Sequence, residues 1–166
     1  MQPLRQLMIM GATLSSACTQ TLTQALARLP SIQPDPPITV EDTVTAAALL
    51  ATLATGYVRG PQVIIANVNG EVTSASLPRA DTLTFLFLTP DHIQQLADEY
   101  GDLDYVRISR PTVRDSVATV IIGIFGAFSR TLPTSAVIDG PSSCEWHLAR
   151  GIGQWRVQGT GRCLVS

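Results

Sequence analysis

Residues 142–165 read SSCEWHLARGIGQWRVQGTGRCLV, and the register of this stretch decides how the rest of the chain is arranged. Side chains alternate faces along a strand, so one arm carries Trp146 and Leu148 together and the other Trp155 and Val157. Setting Arg150 opposite Trp155 around a loop at 151–154 puts Leu148 opposite Val157 and gathers all four apolar residues on one face. A slip of one residue would divide them between core and solvent, so a buried face selects a single register. In that register Cys144 and Cys163 share a face but stand two residues off direct opposition. Diagonal neighbours are roughly 7–8 Å apart, so a Cys144–Cys163 disulfide requires shear or a bulge, with Gly159-Thr160-Gly161 the natural place. The alternative is two unlinked small hydrophobes.

Working upstream, the pattern predicts a meander that this hairpin closes. Residues 105–110 alternate with Val106 and Ile108 inward, and 111–115 turn the chain. Residues 117–128 return as a long, almost wholly apolar strand with Gly123 and Gly126 as bulge or bend sites. An irregular loop over 131–141 follows. Ahead of the meander, Thr89-Pro90-Asp91 supplies an N-cap, Pro at the first helical position and an acid in the first turn. Ile93, Leu96, Ala97 and Tyr100 form the inward stripe of that helix, and Gly101 ends it. Residues 82–88 (TLTFLFL) are apolar on both faces, as in a central strand. Residues 62–68 and 71–76 flank Asn69-Gly70, the pair that a type I′ hairpin turn requires. Thr39 with Glu41 and Asp42 opens a further helix through Thr55, uncharged in its body and therefore expected to be buried across a sheet.

The segment LTPDHIQQLADEYGDLDYVRI, Leu88 to Ile108, resembles a helix-to-strand passage of uncharacterised secreted bacterial proteins, in which an antiparallel meander follows and its last hairpin carries a Trp. The resemblance covers about the last 80 residues and implies no activity. The expected architecture is α+β, with one or two helices packed on a curved antiparallel sheet. It is similar to the cystatin-like and nuclear-transport-factor-2-like folds, a likeness of shape that assigns no function.

The N-terminus reads as an export signal. Residues 6–27 carry no charge, with Arg5 before them, and LMIMGATL at 7–14 is an apolar core followed by Ser15-Ser16-Ala17-Cys18. Eight apolar residues are too few to span a bilayer, which needs about 20. Small residues ahead of a Cys resemble a bacterial lipoprotein signal, which implies lipidation of Cys18. Leu14 stands one place too early for that pattern, so cleavage after Ala17 without lipid, or a buried cytosolic helix, stays open. Lipidation would leave Cys144 and Cys163 as an even pair. The expected organisation is a signal over 1–17, a lipidated Cys and Pro-rich tether over 18–38, and one domain over 39–166. Extended Pro-rich chain at about 3.1 Å per residue would hold that domain off the membrane.

At 166 residues the chain can bury roughly 70% of its unfolded surface, so it needs no metal to fold. Its basic residues are all Arg and are scattered, and the net charge is −2, which argues against nucleic acid as a partner. No metalloprotease, P-loop, nucleophile-elbow or dinucleotide motif occurs. The Gly pairs at 151/153 and 159/161 lack the context of a phosphate loop. His92 and His147 read as surface or packing residues, and Asp98, Glu99, Asp102 and Asp104 as a solvated acidic turn without calcium-loop spacing. A pocket between the Ala-rich helix and the sheet would be lined by Phe85, Phe87, Tyr105, Phe125 and Trp155, against the alternative that these are core. The expectation is an exported domain that binds and does not catalyse. It uses no cofactor or metal, reaches the membrane through lipid on Cys18, and takes an unidentified protein or small molecule as partner. The alternatives are a ligand-binding or enzymatic domain built on that pocket, and a cytosolic structural domain.

Overall fold

A computed structural model of the chain describes residues 21–56, 58, 60–68, 70–132 and 142–165. Cys18, the export signal, Asn69 and most of the loop expected over 131–141 lie outside the described residues. In chain order the elements are α1 (Leu22–Ala27), α2 (Val40–Ala54), β1 (Gln62–Ala66), β2 (Thr84–Leu88), α3 (Pro90–Tyr100), β3 (Leu103–Ile108), β4 (Thr112–Arg114), β5 (Val117–Ala127), β6 (Ser142–Arg150) and β7 (Trp155–Val165). The fold is α+β, with three helices on one seven-stranded curved sheet that does not close. The strands run β2-β1-β3-β5-β6-β7, and β4 pairs with the start of β5.

The sheet is mixed. β1 runs parallel to both β2 and β3, while β3, β5, β6 and β7 form the antiparallel part. The hairpin expected at Asn69-Gly70 is therefore replaced by a long connection from β1 to β2, in which Gly70 takes a left-handed φ of 68° and Ser74–Ser76 form one 3-10 turn. The reason lies in β1 itself. Val63 and Ile65 face one side, Ile64 and Ala66 the other, and all four are buried. A strand buried on both faces belongs between helices, the setting of parallel strands. β2 has the same two-sided character, but it stands at the sheet edge and not at its centre.

Two apolar clusters cover the two faces. On one, Val44, Ala48 and Leu49 of α2 pack on Val63, Ile65, Phe85, Val106 and Ile108, and onward over Val120, Ile122, Trp146, Leu148 and Trp155. On the other, Ile93, Leu96 and Ala97 of α3, with Leu26 of α1, pack on Ile64, Ala66, Leu86, Leu88, Leu103 and Ala127. Among the described residues the second cluster reaches β5 only at Ala127, so the sheet is sandwiched at its β2-β1-β3 end and beyond that point is covered mainly on the α2 side.

Residues 21–38, expected as a tether, pack on the domain. The Leu22, Leu26, Leu29 stripe docks α1 on the α3 side. The Ile32 N–H donates to the Phe85 carbonyl at 2.8 Å, in a bridge that covers the outer edge of β2. Ser74 Oγ donates to Asp35 Oδ2 at 2.6 Å, pinning the strap again.

The terminal hairpin keeps the expected start, with Arg150 opposite Trp155 and Leu148 opposite Val157. The register then shifts between Leu148 and His147, and again between Trp146 and Cys144. Each shift adds one residue on β7. Together they supply the two missing positions and bring Cys163 directly opposite Cys144, with a Cα–Cα distance of 4.1 Å and a disulfide between them. One bulge falls at Gln158, just ahead of the expected glycine site, and the other just past Thr160, at its end.

Candidate binding surfaces

The outer side of β3, β5 and β6 is only partly covered by the described residues. Tyr105 and Phe125 are cross-strand partners whose rings stack with centroids 5.8 Å apart and planes 24° from parallel. The Arg107 guanidinium sits 5.4 Å from the centre of the Phe125 ring, within the range of a cation–π contact. Gly123 makes this possible. A Cβ there would stand 2.4 Å from Phe125 Cε2, so the ring lies directly over the glycine. Beyond the ring, Ile121 is 49% and Val117 55% exposed, although their neighbours Ala118, Val120 and Ile122 are buried on the α2 side. A groove of about 380 Å³ runs between Val68 and Glu71 on one flank and Arg107, Ile121, Phe125 and Ser143 on the other. His147 also faces outward, its Nε2 3.8 Å from Glu145 Oε1.

A second concavity lies across the sheet, where α2 ends. It encloses about 250 Å³ between Thr52 and Thr55 of the helix, Ile122 and Ile124 of β5, Trp146, and the Cys144–Cys163 disulfide. Its lining is largely apolar and carries no ionisable side chain. Thr52 Oγ1 donates to the Ala48 carbonyl at 3.0 Å and Thr55 Oγ1 to the Thr52 carbonyl at 2.6 Å, so both hydroxyl protons are committed to the helix. Trp146 is 7% exposed, and its Nε1–H is buried without an acceptor among the described residues. An unmet buried donor costs on the order of 1–3 kcal/mol.

The five aromatics expected around one pocket do not share a cavity. Phe85 and Trp155 are buried in the α2-side core, and Phe87 packs partly buried against it. Tyr105 and Phe125 stand on the opposite face. The physical reason is parity: residues 85 and 87 of β2 point toward α2, whereas 105 on β3 and 125 on β5 point away from it. Helix and sheet do enclose a concavity, but Trp146, Ile122 and Ile124 line it.

The polar clusters are structural. Asp42, 8% exposed, closes a capping box with Thr39 and accepts from Thr39 N at 2.9 Å and Ser76 Oγ at 2.6 Å. Burial pushes its carboxyl up, but the hydrogen bonds from Ser76, Thr39 and Ile38 outweigh that and hold it below the ordinary value. The acidic turn clasps the chain leaving β5. Asp98 accepts from Gln94 Nε2 at 3.0 Å and from Arg130 N at 2.8 Å, and pairs with the Arg130 guanidinium, which holds it well below the usual carboxylate range. Asp102 Oδ1 accepts from Ser129 N at 2.8 Å. Among the described residues no group of three or more His, Cys, Asp or Glu is placed to hold a metal ion. None of the described helices is long and apolar enough to cross a membrane.

No family model, curated protein or solved structure matches the chain. The surfaces therefore rest on their own geometry. Sequence reading missed Arg107, Val117 and Ile121 as surface residues. The signal was present, since β5 is apolar on both faces while the meander was expected to carry a helix on one.

Proposed function

We propose that the chain is an exported domain that works by non-covalent binding, docking a protein partner on the bare outer face of β3, β5 and β6. One observation carries this reading: β5 presents apolar side chains on both faces, yet among the described residues its α2 face is covered while Val117 and Ile121 on the other face stay about half exposed. An antiparallel strand open to water on one side ordinarily alternates apolar with polar residues. An uncovered apolar stripe beside a stacked Tyr, a Phe and an Arg has the make-up of an interaction surface, where aromatic residues and Arg are enriched. A protein partner fits because the groove carries both Arg107 and Glu71 at its walls.

Export draws support from the uncharged N-terminal core ending at Ser16-Ala17-Cys18 and from the Cys144–Cys163 disulfide, a bond typical of oxidising compartments. Lipid on Cys18 would place the domain at the bilayer surface, because α1 packs from Leu22 onward and little chain is left as a tether.

The test is site-specific photo-cross-linking in cells that make the protein naturally. A photoreactive residue at Ile121 should give a discrete adduct that Arg107→Glu abolishes. The same residue at Ile152, in the exposed hairpin loop, should give none. No adduct at 121, or equal adducts at both positions, would refute the reading.

A further inference from the structure

We infer that the partner docked on the outer face presents an acidic segment, with carboxylates on either side of apolar residues; this rests on the docking reading and names the partner's chemistry. Strand register carries it. Arg114 of β4 lies opposite Val117 of β5, Val117 opposite Ala149 of β6, and Ala149 opposite Arg156 of β7. Directly opposed residues point to the same side of a sheet, so these side chains form one row. Their neighbours Val113, Ala118, Leu148 and Val157 pack in the α2-side cluster, and Val117 is 55% exposed, so the row lies on the outer face. It reads cation, apolar, apolar, cation. Arg114 and Arg156 are both exposed, and neither pairs with a carboxylate among the described residues.

The other charges of this face have local company. The Arg107 guanidinium lies over the Phe125 ring, and Glu145 faces His147. Arg114 and Arg156 have none, although the chain as a whole carries a net charge of −2. A partner that covers Val117 and Ala149 also strips water from the two guanidiniums beside them, which costs free energy unless hydrogen-bonding groups replace it. Carboxylates replace it best, because they pair with Arg through two parallel hydrogen bonds. Complementary charge also steers the encounter and turns away basic partners. Three strand spacings of about 4.8 Å set the two Arg backbones about 14 Å apart. That span is about nine residues of α-helix or about four of extended chain, so one short segment reaches both. An anionic bilayer fits less well, because Glu145 and Glu71 would meet its headgroups.

The experiment places a photoreactive residue at Val117 in the full chain, in cells that make the protein naturally, beside the one at Ile121. Arg114→Glu combined with Arg156→Glu should cut the Val117 adduct at least about tenfold, since attraction becomes repulsion at both ends of the row. Arg114→Gln combined with Arg156→Gln should cut it less, a grading by charge that lost packing does not produce. Arg150→Glu should leave it unchanged, because Arg150 lies opposite Trp155 on the α2 side of the same sheet end. Mass spectrometry of the adduct should find acidic residues flanking apolar ones in the cross-linked segment. Reversing those acids to Lys should restore the adduct to the Arg114→Glu, Arg156→Glu chain. An adduct that survives the charge reversal, or a reversed partner that restores nothing, would overturn the inference and leave the docking reading standing. No adduct at either position would end both. An adduct with the mass of a lipid would make the face a membrane surface and also end both.

Discussion

At the scale of single residues, Asp42 joins parts of the chain that local patterning cannot connect. Its cap on α2 was legible from Thr39 and the acids after it. Its second role, accepting from Ser76 across 34 residues, was not. Asp42→Ala should cost about 2 kcal/mol, the loss of a cap together with a buried hydrogen bond, read from urea unfolding. Because the folded carboxyl sits below its unfolded value, this stabilisation is complete above about pH 4 and is lost as pH falls through the folded value. Asp42→Asn, which keeps one acceptor, should lose less and flatten the acid end of the stability profile. Gly123 is another residue whose identity is dictated by a neighbour. Gly123→Ala should drive the Phe125 ring from its place over the strand, erasing Tyr105–Phe125 contacts in NOE spectra. Stability should fall by about 1 kcal/mol, since the Phe125 ring must move and Ser143 Cβ, 3.2 Å from the added methyl, must give by a few tenths of an ångström.

At the scale of elements, the terminal hairpin shows where sequence reading succeeds and stops. The Trp146/Leu148 and Trp155/Val157 alternation specified its register because one face is buried, and the structure keeps that register at the closed end. The disulfide needed two more residues on β7, and two bulges supply them, one just past Thr160 at the end of the expected glycine site and one at Gln158 that no glycine marks. The parallel pairing of β1 with β2 and β3 was less legible. Periodicity tells which face a side chain takes and is silent on which strand lies beside it. The Asn69-Gly70 signal pointed to a local partner, but the two-sided burial of Val63 through Ala66 outweighed it. Leu22, Leu26 and Leu29 recur at helical spacing, but where they dock cannot be read from that spacing, because the acceptor surface is built from distant strands. The disulfide closes a separation of 19 residues. Replacing both cysteines by Ser should therefore cost about 3 kcal/mol. Alkylation without reductant should leave both cysteines of the native protein unmodified.

At the scale of the whole molecule, the domain is asymmetric. Three helices are divided between two sheet faces, and the α3 side runs out of cover before β5 does. The core could be assigned from sequence because it is apolar and periodic. The proposed docking surface could not, because an apolar residue at position 121 reads the same whether a helix or water lies over it. Intact mass of the protein from its native membranes should show cleavage before Cys18 with added acyl chains, and an unprocessed Met1 in the cytosol would end the export reading. The bareness of the outer face is tested most directly by the unfolding free energies of two adjacent variants, Ile121→Asp and Ile122→Asp. Ile122 is 1% exposed, and an unpaired carboxylate there should cost more than about 4 kcal/mol or prevent folding. Ile121→Asp should cost about 1 kcal/mol or less, as expected of an open strand position. If instead Ile121→Asp is as destabilising as Ile122→Asp, the outer face of β5 is covered within the chain itself, and no partner docks there.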